Sequence, residues 1–104
     1  MIIIHLIPIV DWEKIQGETM LFSESVVQYG FVHCCMPEQV QEVLKEWFAN
    51  QKDVAAVEID TNLLVSPFVC ENLEGGGELF PHIYGLVNKD AVVRWYPVEA
   101  DEWR

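Results

Sequence analysis

The sequence predicts one small α+β domain in which strands dominate and helices are few. Three observations carry that expectation. Short apolar runs rich in β-branched residues recur along the chain, punctuated by Gly, Pro, Asn and Asp. One segment, Val40 to Phe48, repeats its apolar residues at helical spacing. Strands and helices do not alternate regularly, so nothing forces a parallel, doubly wound sheet.

The first strand is expected from Ile2 to about Pro8, an apolar run interrupted by His5. Asp11 then offers an N-cap for a short helix through Trp12, Ile15 and Gln16, closed by Gly17. Met20-Leu21-Phe22 reads as extended, and Ser23 caps a helical turn that runs toward Tyr29 and stops at Gly30. Phe31 to Cys35 reads as a second buried strand, ended where Pro37 takes the first position of a long amphipathic helix. Val40, Val43, Leu44, Trp47 and Phe48 form the apolar stripe of that helix, with Glu38 and Glu42 where its dipole favours them. Val54 to Ile59 is a strand, Asp60-Thr61-Asn62 a turn, Pro67 to Glu71 a short strand and Gly75-Gly76-Gly77 a mobile loop. The last strand spans Ala91 to Val98. Residues 1–98 are thus expected to make one compact domain, and 99–104 an acidic tail that frays and carries the aromatic Trp103.

At 104 residues and 51% hydrophobic composition the chain can bury a core of its own. Six Lys and Arg against 17 Asp and Glu give a formal charge of -11, which repels phosphate backbones and anionic lipid, so neither nucleic acid nor membrane is expected as a partner. The apolar N-terminal run lacks a basic flank and is too short to span a bilayer, so it reads as a buried strand and not as a signal peptide. Cys34, Cys35 and Cys70 are an odd number with two adjacent, a poor disulfide framework, and point to a reducing cytoplasm.

The chemical signal lies in the histidines. His5, His33 and His82 all stand inside apolar, strand-like stretches, where an imidazole must find partners for two nitrogens. Three such placements suggest one shared pocket. His33 and Cys35 share a strand face, as do His82 and Tyr84, because side chains alternate along a strand. Glu71 and Glu78 flank the glycine loop and are the acids nearest a histidine motif. No C-x-x-C or H-x-x-x-H spacing occurs, and no metal is expected. The triple glycine is followed by neither Lys-Ser/Thr nor a helix start, so it is no phosphate loop.

Taken together, Ile4-His5-Leu6, Trp12, Gly30-Phe31-Val32-His33-Cys34, Pro37-Glu38-Gln39-Val40, Glu71 and Glu78-Leu79-Phe80-Pro81-His82-Ile83-Tyr84-Gly85 resemble an uncharacterised, mainly bacterial family of single-domain proteins. The resemblance spans almost the whole chain. Members of that family look like the ADP-ribosyltransferase fold, a split and strongly bent β-structure that holds NAD in its cleft. Where the family commonly has Ser and then Ser or Thr after His-Cys, this chain has Cys35 and Met36, which removes a hydroxyl and a good helix cap.

The resemblance implies roles for particular residues. His5 would anchor a ribose hydroxyl; its plain alternative is a core histidine bonded to a backbone carbonyl. His33 and Tyr84 would hold a flat ring, His82 would contact a hydroxyl or phosphate oxygen, and Glu71 would stabilise a cationic ribosyl centre. His5, His33, His82 and Tyr84 are therefore the expected nucleotide contacts, and Glu71, His33 and His82 the expected catalytic groups, with NAD as substrate. The competing reading is a noncatalytic domain that binds another small molecule or a protein, because neither Arg94 nor Arg104 adjoins a motif and diphosphates need cationic donors.

Overall fold

A computed structural model describes residues 1–73 and 75–100. The expected fraying of the tail beyond residue 100, and Trp103 within it, lie outside the described residues. Strand β1 (Ile2–Pro8) runs directly into helix α1 (Ile9–Ile15); β2 (Met20–Leu21), α2 (Ser23–Tyr29) and β3 (Val32–His33) follow. A 3-10 turn (Pro37–Gln39) leads into α3 (Val40–Trp47), then come β4 (Val54–Asp60), β5 (Phe68–Glu71), β6 (Phe80–Ile83), β7 (Val87–Asn88) and β8 (Val92–Val98). The small α+β class is as expected.

These strands form three small antiparallel sheets, ordered β1-β4-β8, β2-β7 and β3-β6-β5. In the first, β1 and β4 are apolar on both faces because both faces are covered. Ile3, Ala55, Val57 and Ile59 pack with Trp12, Leu21, Phe22, Val32 and Ile83. Ile4, Leu6, Val54 and Ala56 pack on the opposite side with Cys35 and Leu44. A β-bridge ties the two three-stranded sheets together: Ile4 and Cys35 exchange both backbone hydrogen bonds, each 2.8 Å.

Several expectations need correction. Asp11 does not cap α1. The helix begins at Ile9, whose N–H donates to the Asp53 carbonyl at 2.7 Å, and Asp11 lies in the first turn. The expected Phe31 to Cys35 strand shrinks to two residues, because Cys34 N–H still bonds Pro81 of β6 whereas Cys35 turns away to pair with Ile4. The described residues form no long helix: α3 has eight residues, and of its apolar stripe only Leu44 is fully buried while Trp47 is 60% exposed. Its missing hydroxyl cap is replaced from inside the helix start, where Gln39 Oε1 accepts the Met36 N–H at 2.8 Å. Phe22 is not extended but left-handed, with φ 66°. Strand β7 was not foreseen; two residues carry too little pattern to signal it.

In the Phe-Pro-His-x-Tyr-Gly segment, Gly85 has φ 148°, and a β-carbon there would sit 2.5 Å from Ser66 Oγ. That position admits only glycine without displacing Ser66.

Burial separates the helix stripe into a core residue and a rim residue. Leu44→Ala is expected to lower stability by about 2–5 kcal/mol in urea unfolding, and Trp47→Ala by less than about 1 kcal/mol. Equal losses at both positions would show that the stripe is buried as a unit.

Candidate functional site

The pleat of the β3-β6-β5 sheet brings its chemistry to one face. His33 lies directly opposite His82, and Val69 opposite His82 on the other side. Side chains two residues apart share a face, so Glu71 on β5 and Tyr84 just past β6 fall in the same row as His82. Glu71 Oε2 accepts from His82 Nδ1 at 3.0 Å and also from the Tyr84 hydroxyl. The Tyr84 bond, then the His82 bond, hold the Glu71 carboxyl below its usual range, and Glu71 in turn pushes the Tyr84 phenol up. With Nδ1 donating to a carboxylate, a neutral His82 keeps Nε2 as a hydrogen-bond acceptor. Glu71 Oε1 takes no hydrogen bond from the described residues.

The rings around this group are aromatic. His33 and His82 meet edge-on with centroids 5.5 Å apart, and Phe31 lies 4.7 Å from His33, 4.6 Å from His82 and 5.4 Å from Tyr84. Tyr29 closes on His33 at 5.1 Å. Phe31 and Tyr29 escaped the sequence reading. Phe31 stands two residues before His33 in the Gly-Phe-x-His segment, and that alternation was the available signal.

His5 reaches the same place from the other sheet. Its Nδ1 lies 2.6 Å from the His33 carbonyl oxygen, so the nitrogen carries the proton and donates. Burial dominates its titration and lowers the pKa to about 4, with the ring 7% exposed and set against Phe22 at 4.4 Å. A neutral ring donating through Nδ1 has a bare Nε2, which makes no hydrogen bond to the described residues. One nitrogen of His5 is pinned to backbone, as in its plain alternative, and the ring also lines the cleft.

That cleft, about 1020 Å³, opens between β1, α1 and α2 on one side and α3, β5 and β6 on the other. His5, His33, His82 and Glu71 all line it, whereas Tyr84 is reached only through Glu71. Glu78 lines it as well, held by Gln39 Nε2 at 3.1 Å; the buried Gln39 amide went unnoticed in the sequence. Glu42 lies beside Glu78, and the interaction between them pushes the Glu42 carboxyl up and holds Glu78 down. The charged lining is lopsided: Asp11, Glu18, Glu24, Glu42, Glu46, Glu71 and Glu78 against Lys14, whose Nζ already lies 3.9 Å from Asp11 Oδ1.

Thiol chemistry is disfavoured. Burial drives the Cys34 thiol well up and the Cys35 thiol to about 12, so neither supplies a thiolate to the neighbouring imidazole at neutral pH. Among the described residues no cluster of three His, Cys, Asp or Glu side chains has the geometry of a metal site. No described helix is long and apolar enough to cross a membrane.

Because the folded pKa of His5 lies below the unfolded value, the unfolded chain binds a proton first. Stability from neutral His5 is complete above about pH 6.5 and is lost as pH falls toward 4, about 3 kcal/mol in all. Urea unfolding at pH 7 and pH 4.5 is expected to show a smaller loss in His5→Gln than in the parent; an equal loss in both would place the titration elsewhere. Replacing Tyr84 by Phe removes the largest influence on Glu71, so its carboxyl pKa, followed by carbon NMR, is expected to rise toward the ordinary glutamate value.

Comparisons with known proteins agree with this architecture. No curated protein matches the chain. The crystal structure of protein CC0527 from Caulobacter crescentus is similar at 24% identity with a TM-score of 0.81, covering 97% of this chain and 89% of that one. The solution NMR structure of CC0527 is similar at 24% identity and TM-score 0.78, covering 96% and 86%. At that identity the likeness speaks to fold alone. Residues 6–95 match the model of a family described as "Protein of unknown function (DUF952)", and the chain therefore belongs to the DUF952 family.

Proposed function

We propose that the cleft is a small-molecule site that takes an NAD-type nucleotide by its nicotinamide-ribosyl end and supports cleavage or transfer at that bond. One observation carries the reading: His5, His33 and His82, drawn from three strands, line one cleft together with the carboxylate of Glu71. The split arrangement, two three-stranded sheets joined at the Ile4 and Cys35 bridge, supports an ADP-ribosyltransferase-like fold. Three free thiols, two of them buried, support a reducing, cytoplasmic setting.

In this reading His5 Nε2 accepts a ribose hydroxyl, and Tyr29 and His33, the latter packed against Phe31, supply the wall for the nicotinamide ring. The bond between ribose and nicotinamide breaks with its electron pair leaving on nicotinamide. Ionised Glu71 stabilises the positive ribosyl centre. His82 Nε2 takes the proton of the attacking water or acceptor hydroxyl, and Glu71 and Tyr84 fix the orientation of that ring and carboxylate.

The acidic lining favours a second reading, a noncatalytic domain that binds a different small molecule in the same cleft. The two are separated by titrating NAD, ADP-ribose and nicotinamide to millimolar concentration while following histidine ring signals, and by assaying nicotinamide release. The expected result is movement of the His5, His33 and His82 signals, with release reduced about 100-fold or more in Glu71→Gln. Movement without release leaves the noncatalytic reading, and unmoved signals end the nucleotide reading.

A further inference from the structure

The charge around the cleft says which part of such a ligand belongs in it. Seven carboxylates and one ammonium line the described walls, and the ammonium of Lys14 is already paired with Asp11. Among the described residues, neither Nε2 of the neutral His5 ring, which accepts and cannot donate, nor Glu71 Oε1 takes part in a hydrogen bond, and both residues line the cleft. Glu42 and Glu78 stand side by side on these walls, and their proximity pushes the Glu42 carboxyl up. Trp47, exposed at the rim, and Tyr29 add ring faces to the same walls. Among the described residues of the lining, a pyrophosphate finds repulsion and no free cationic donor. An organic cation with hydroxyl or amide donors finds acceptors, opposite charge and aromatic faces.

Resting on the reading of the cleft as a small-molecule site, we infer that its ligand is a phosphate-free organic cation with hydroxyl or amide donors, a pyridinium nucleoside in preference to a dinucleotide. The positive ring lies toward the acidic walls, and a donor of the ligand meets His5 Nε2. Phosphate is a hindrance in this cleft and not a handle.

Calorimetric titration of the full chain with nicotinamide riboside, NAD, ADP-ribose and uncharged inosine tests this. The riboside is expected to bind at least about tenfold more tightly than NAD, with ADP-ribose weakest, and its affinity to fall between about 0.05 M and 0.3 M salt. The exposed-site variants Glu46→Gln and Glu24→Gln, which leave the core untouched, are expected to weaken the riboside by about twofold to fivefold each and to leave inosine unchanged. NAD or ADP-ribose binding as tightly as the riboside overturns the charge preference while leaving the nucleotide site intact. Inosine matching the riboside also overturns it. Silence from all four ligands overturns both this inference and the reading on which it rests.

Discussion

The joint between Ile4 and Cys35 is the constraint on which the site depends. Two backbone hydrogen bonds across it, each 2.8 Å, dock the edge of one three-stranded sheet onto the end of the other. Because the bridge falls one residue before His5 and two after His33, it places the His5 ring against the His33 carbonyl. His33 is in turn opposite His82 in the β3 and β6 ladder. One short contact thus carries register from the first sheet through three histidines, and a slip by a single residue would turn each of them to the wrong face.

Burial and partner choice then assign the protonation states. His5, desolvated and bonded to a carbonyl, stays neutral to about pH 4 and offers one acceptor nitrogen. Glu71, receiving two donors, stays ionised. Cys34 and Cys35, surrounded by apolar side chains, remain thiols and act as small core residues. The chemistry left at the cleft is that of imidazole and carboxylate, set among aromatic rings and under a negative field. Phe22 belongs to the same arrangement: a buried aromatic held at φ 66°, a conformation costly for a bulky residue, it packs on both His5 and Trp12.

The parts of this that could be read in advance share a physical character. His82 and Tyr84, or Ile4 and Leu6, are related by strand alternation, and a period of two survives any tertiary context. Gly30 as a helix stop and Pro37 as a helix start are backbone properties of single residues. What failed depended on partners distant in sequence. Asp11 was capable of capping α1, but Asp53, 44 residues after Ile9, supplied the acceptor for the first helical N–H. Trp47 fits the helical stripe, yet it closes the helix at an exposed end.

The sequence by itself determined the α+β class, most of the strands, the acidic character and the identity of the three histidines and Glu71, because each follows from composition or from local period. Only the tertiary structure decided that the three rings line one cleft, that Tyr84 bonds Glu71, and that carboxylates from α1, α3 and the loop before β6 face the same space. Such convergence is made by contacts 28 and 11 residues apart, as between His5 and His33 or Glu71 and His82. Local preference carries no information at that range; the packing of two sheets across one bridge does.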